Sequence, residues 1–186
     1  MHGTVLDRFN NPDLRSLEIM EIWLDRPAPD FELVALDGRT IGLKSVRGKI
    51  VLLHFWTTWC EACIKEMPTL NRLYEDFQDR AFALLAANLR ESPAKVEAFR
   101  NQYQITFPIL LDRRGKVGDA YGVLAIPATF ILDRQGMTIG KATGARDWTS
   151  APARRFIQKL LLSDRRVASS RRSMVPSRRA NDQIAG

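Results

Sequence analysis

Sulfur and imidazole are scarce in this chain: its 186 residues include two cysteines, Cys60 and Cys63, and two histidines, His2 and His54. Two cysteines cannot build the multi-bridge framework that staples small secreted folds. A zinc site would need a second ligand pair, yet His2 is terminal and His54 lies inside an apolar run, so no metal is expected. Nowhere does an apolar run approach the roughly 18 residues of a membrane span. The first twenty-four residues carry Asp7, Arg8, Asp13, Arg15, Glu18 and Glu21, which do not make a secretory signal peptide. The expected compartment is the cytoplasm for the chain as it stands, or the periplasm if an export segment precedes it.

What is present suits one buried core: 45% of the residues are hydrophobic. A formal charge of +7 suggests an anionic partner until its location is considered. Most of it sits at one end, where Arg165, Arg166, Arg171, Arg172, Arg178 and Arg179 stand against Asp164 and Asp182. The expected organisation is an arm over 1–26, a domain over 27–163, and a basic tail over 164–186 too rich in Ser and Arg to order itself. Three Arg-Arg pairs suit anionic lipid or nucleic acid, but no aromatic residue is interleaved to stack on bases, so no specific nucleic-acid partner is expected.

Along the domain, "DFELVALDGRTIGL" reads as two strands around Asp37-Gly38, a dipeptide that favours a tight hairpin turn. "KIVLLHFW", Lys49 to Trp56, is an almost unbroken apolar run of strand length. After Cys60, Cys63, Ile64, Met67, Leu70, Tyr74 and Phe77 follow helical spacing across Pro68. "AFALLAANL" is a second strand; Ser92 and Pro93 then cap a helix whose inner face is Val96, Phe99 and Tyr103. "FPILLD" is a strand, "GKVGDAYGV" a short helix, "ATFILD" and "MTIGKATG" a strand pair, and "TSAPARRFIQKLLL" a closing helix. This alternation predicts an α/β fold with a mainly parallel central sheet finished by an antiparallel hairpin. No internal repeat is visible.

The cysteines sit in "WTTWCEAC", between the end of a strand and the start of a helix. There Cys60 meets unpaired backbone N–H groups at the positive end of the helix dipole, which stabilises a thiolate. Only the thiolate attacks a disulfide. Cys63 lies one turn further on, close enough to close a disulfide after modest adjustment. Cys60 is therefore expected to be the nucleophile and Cys63 the resolving thiol. Inert core cysteines have no reason to sit at a helix start among polar residues.

"VLLHFWTTWCEAC", the helix after it and "AIPATF" resemble the thioredoxin superfamily, more narrowly the TlpA/ResA-like thiol-disulfide oxidoreductases, over roughly Ala28 to Leu162. The resemblance implies a thioredoxin-like fold, a mixed sheet flanked by helices, with an N-terminal β-hairpin and a βα-type insert running from Pro93 through "FPILLD". It also implies that Pro127 is cis and, with Ile126, faces the cysteine pair. His54 stands where thioredoxins carry a buried aspartate; it either accepts the resolving thiol's proton or is a neutral core histidine satisfied by backbone. Glu91 matches an acidic residue that ResA-like proteins place beside their active site, the alternative being a solvated carboxylate at a helix start. The family commonly has proline where this chain has Ala62, and Glu61 adds a negative charge that argues for a weakly oxidising pair. Peroxiredoxins share a threonine at the position of Thr57 but need a proline where Leu53 stands, so a peroxidase is not expected.

Taken together, the chain is read as a protein-disulfide reductase that needs no cofactor. Its partners are protein thiols and disulfides and a second redox protein that re-reduces the pair; in TlpA/ResA-like proteins the substrates include apocytochrome c and copper-site precursors. Trp59 and Thr57 join Ile126 and Pro127 as expected substrate contacts, Trp59 through a flat apolar face. The competing reading is a non-catalytic binding module whose arginine-rich tail holds anions.

Overall fold

The computed structural model describes residues 27–172, with side chains described as far as Leu162. The expected arm over 1–26 and the last part of the tail, 173–186, lie outside the described residues.

The leading hairpin pairs β1 (Glu32–Val34) with β2 (Thr40–Gly42), antiparallel. Gly38 takes φ +83° in its turn, a backbone state that costs a residue with a side chain about 1–2 kcal/mol. A short 3-10 turn, Leu43–Val46, leads into β3 (Ile50–Trp56). Helix α1 (Glu61–Phe77) crosses to β4 (Phe82–Leu89), and α2 (Pro93–Gln102) crosses to β5 (Ile109–Asp112). A short α3 (Lys116–Ala120) precedes β6 (Ala128–Leu132), β7 (Thr138–Thr143) and the closing α4 (Ala151–Arg172). The order β5-β4-β3-β6-β7 puts β3 at the centre.

All seven residues of β3 are buried because both sheet faces are covered. Ile50, Leu52 and Trp56 pack under α1, α2 and α4, while Val51, Leu53 and Phe55 pack with Phe31, Tyr121 and Phe130 on the other face. Such alternation is a consequence of the strand's two-residue period.

The sheet is mixed, as the family resemblance implies: β3–β4 and β4–β5 are parallel, β3–β6 and β6–β7 antiparallel, so the strand–helix alternation alone overstates its parallel share. Two expectations need adjustment. Tyr103 is not on the inner face of α2; it caps that helix, is 37% exposed, and lies against the Phe99 ring at 4.3 Å. The last helix continues past Ser163 to Arg172, since no Pro or Gly interrupts it before Pro176. Among the described residues no helix is long and apolar enough to cross a membrane.

Candidate active site

The apolar strand β3 delivers the chain to the edge of the sheet, where Thr57, Thr58 and Trp59 turn it into α1. Cys60 is the N-cap of that helix, with extended backbone angles, and its Sγ accepts the Cys63 N–H at 3.2 Å. The two cysteines are joined as a disulfide with Cα atoms 5.2 Å apart. When the bond is reduced, the same N–H faces a Cys60 thiolate, the charge that a helix start favours. Cys60 keeps 8% of its surface, whereas Cys63 has none. Glu61, beside the pair, is bound to Lys65 at 2.6 Å, and that hydrogen bond holds its carboxyl below the usual range. Its negative charge is thus largely balanced, which weakens the case for a low oxidising power drawn from Glu61 alone.

Glu91 is not a solvated carboxylate. It is buried at the end of β4, and its two oxygens accept from the Thr58 N–H (2.7 Å), the Thr58 hydroxyl (2.7 Å) and Asn88 Nδ2 (2.8 Å), with Lys95 Nζ 2.7 Å away. Burial pushes its pKa up, but the bonds from Lys95, Asn88 and Thr58 outweigh it and hold the group below the ordinary carboxylate range. Glu91 therefore stays ionised and fixes the turn that presents Cys60.

His54 lies fully buried on the α1 side of β3, its Nδ1 2.9 Å from Thr129 Oγ1 and its Nε2 without a partner. Burial pushes its pKa down to about 3, so the ring is neutral at ordinary pH. Gaining a proton there is costly, which favours the core-histidine alternative, although only Nδ1 is partnered, and by a side-chain hydroxyl rather than backbone.

Glu66 is a further buried ionisable group beside the pair. It lies one turn beyond Cys63, on the stripe that α1 buries with Met67, Leu70, Leu73 and Phe77. One oxygen accepts from the Trp148 indole N–H and the Arg146 N–H; the other is buried without a partner. Burial pushes its pKa up to about 7, against those opposing hydrogen bonds. A signal was available: a carboxylate three residues after Cys63 sits on an otherwise apolar helix face.

The Ile126–Pro127 peptide is cis, at the entry to β6, whose Ala128 pairs with Phe55 near the end of β3. Pro127 is buried and Ile126 partly so. Trp59 is 68% exposed, as a contact surface requires. Thr57 is buried, with its hydroxyl unpartnered, and offers no surface to a partner.

A profile described as "AhpC/TSA family" matches residues 24–139. The chain belongs to this family. Within it, the chain is similar to the thiol-disulfide oxidoreductase ResA of Geobacillus thermodenitrificans, 44% identical over 117 residues that cover 63% of this chain and 67% of that protein. It is 35% identical to ResA of Bacillus thuringiensis over 143 residues, covering 77% of this chain and 80% of that one. Among solved structures, a putative thiol:disulfide interchange protein DsbE from Chlorobium tepidum matches with a TM-score of 0.67 at 28% identity, over 73% of this chain and 95% of that one. With the bonded cysteine pair in place, this member of the AhpC/TSA family is a thiol-disulfide oxidoreductase of thioredoxin-like fold, acting on protein thiols and disulfides.

Proposed function

We propose that the protein works as a reductase, with Cys60 attacking and Cys63 resolving. The observation that supports this division between the cysteines is the asymmetry of the pair: Cys60 caps α1 and keeps a little exposed surface, whereas Cys63 is fully enclosed. The Cys60 thiolate attacks one sulfur of a substrate disulfide, forming a mixed disulfide and expelling the first substrate thiolate. Cys63 then gives up its proton and attacks Cys60 Sγ, which closes the Cys60–Cys63 bond and expels the second thiolate. Two electrons pass to the substrate, and a dithiol partner returns them to the pair. Glu66, one turn from Cys63 and with a pKa raised by burial to about 7, is the group suited to take the Cys63 proton. Glu91 positions the turn, and His54 fills the core as a neutral ring. A site outside the cytoplasm, where disulfides persist, suits this chemistry best. The unit that does the work is the domain over 27–163; the tail over 164–186, whose first part continues the closing helix to Arg172, takes no part in the chemistry.

In the reduced protein an alkylating reagent should modify Cys60 well before Cys63. C63S should strand Cys60 in mixed disulfides recoverable by mass spectrometry, and C60S should trap little. Equal trapping by both variants, or by neither, would overturn the assignment of nucleophile and resolver.

A further inference from the structure

The edge of the sheet that carries Cys60 also carries a charge pattern that the exchange chemistry does not use. Because β3, β4 and β5 are parallel, the turns that follow them lie side by side. With strands about 4.8 Å apart, the turn after β5 stands on the order of 10 Å from the turn after β3. The connection between them is physical. Glu91 holds Thr58, and the neighbouring Arg90 reaches Asp119 at 2.7 Å. Arg90, at φ +60°, lies so close to Gly115 that a Cβ there would stand 2.3 Å from its Nε.

The turn after β5 reads Arg113-Arg114-Gly115-Lys116. Arg113, Arg114 and Lys116 are exposed and have no ion-pair partner among the described residues. Every acidic group nearby is already engaged. Asp112 is buried, accepting the Val117 and Gly118 N–H groups at 3.0 and 2.9 Å; Asp119 binds Arg90; Glu91 binds Lys95 and the turn. Three cations without an ion-pair partner therefore border the active site on its β5 side, against one carboxylate, Asp112, that is held by amides and buried. On its β6 side, Leu124 is 98% exposed three residues before Pro127, and Trp59 stands beside Cys60.

Resting on the oxidoreductase reading, we propose that this edge selects disulfide-bonded polypeptide substrates carrying acidic side chains next to the attacked cysteine. The acidic side lies over Arg113, Arg114 and Lys116, and an apolar residue on the other side of the cysteine lies against Leu124 and Trp59. Charge complementarity at a protein surface acts mainly on encounter, so the selection appears in the association rate and fades with salt.

The test uses the reduced full-length protein and three disulfide-bonded peptides that differ only in four flanking residues, acidic, neutral or basic. Rates are normalised to reduction of hydroxyethyl disulfide, which is small and uncharged. The acidic peptide should react roughly ten-fold faster than the basic one at low salt, and this ratio should approach one at about 0.5 M salt. R113Q/R114Q/K116Q should lose most of the ratio, and the milder R113Q/R114Q a part of it. A control that removes the same amount of charge from the tail, R171Q/R172Q/R178Q, should keep the ratio within about two-fold of the parent. Equal rates for acidic and basic peptides, or equal losses in the rim and tail variants, would overturn the proposal while leaving the exchange chemistry standing. Failure to reduce hydroxyethyl disulfide at all would bring down the oxidoreductase reading itself.

Discussion

Two buried ionisable side chains near the disulfide have pKa values shifted in opposite directions, and their effects on stability oppose each other. His54 falls from 6.5 to about 3, so the unfolded chain binds its proton first and stability is lost as pH drops from about 6.5 toward 3. Glu66 rises from 4.5 to about 7, so the folded state holds its proton longer and stability is lost as pH climbs from about 4.5 to 7. Between about 4.5 and 6.5 the two slopes partly cancel. Glu66→Gln keeps the acceptor for Trp148 and Arg146 and should unmask the His54 slope. At pH 8 that variant should be more stable than the parent by about 3 kcal/mol, with the gap closing near pH 4.5. His54→Asn should show the reverse, a decline from pH 4.5 to 7. Urea denaturation of the oxidised proteins at pH 4.5, 6 and 8 measures both; parallel profiles for all three would contradict the shifts.

At the level of elements, the site is a turn between β3 and α1 braced by the next strand. Its precision depends on Glu91 receiving the Thr58 N–H, the Thr58 hydroxyl and Asn88 Nδ2 at once. Glu91→Ala leaves those donors without their buried acceptor, at a cost of about 1–3 kcal/mol. The Thr58 amide should then exchange with solvent much faster than in the parent, while amides in the centre of β3 keep their protection relative to global stability. Alkylation of Cys60 should lose its rate advantage over Cys63 as the turn loosens. Unchanged exchange at Thr58 would mean that the carboxylate does not hold the turn.

For the whole molecule, the basic tail and the domain are expected to work separately. The closing helix makes its core contacts through Ala153, Phe156, Ile157 and Leu161, before the tail's arginine pairs begin at Arg165. Removing 164–186 takes away a net charge of +4 out of +7 and none of those contacts. The truncated protein should reduce hydroxyethyl disulfide at the parent's rate and leave a heparin column at distinctly lower salt. A large loss of turnover would show that the tail takes part in catalysis.

The order of strands and helices, the hairpin at Asp37-Gly38, the Ser92-Pro93 helix start and the place of Cys60 at a helix N-terminus were all determined by the sequence by itself. Each depends on local physics: residue periodicity, turn conformation, or the unpaired N–H groups of a helix end. The chemical state of the other site residues was decided only by tertiary structure. Whether Glu91 is solvated or a brace depends on Thr58, 33 positions away, and whether Glu66 holds a proton depends on Trp148, 82 positions away. Tyr103 faces outward and Thr57 inward for the same reason, since the neighbours that cover or expose them come from other elements. Burial and hydrogen bonding set a pKa through everything within a few ångströms, and those distances come into being only when the chain has folded.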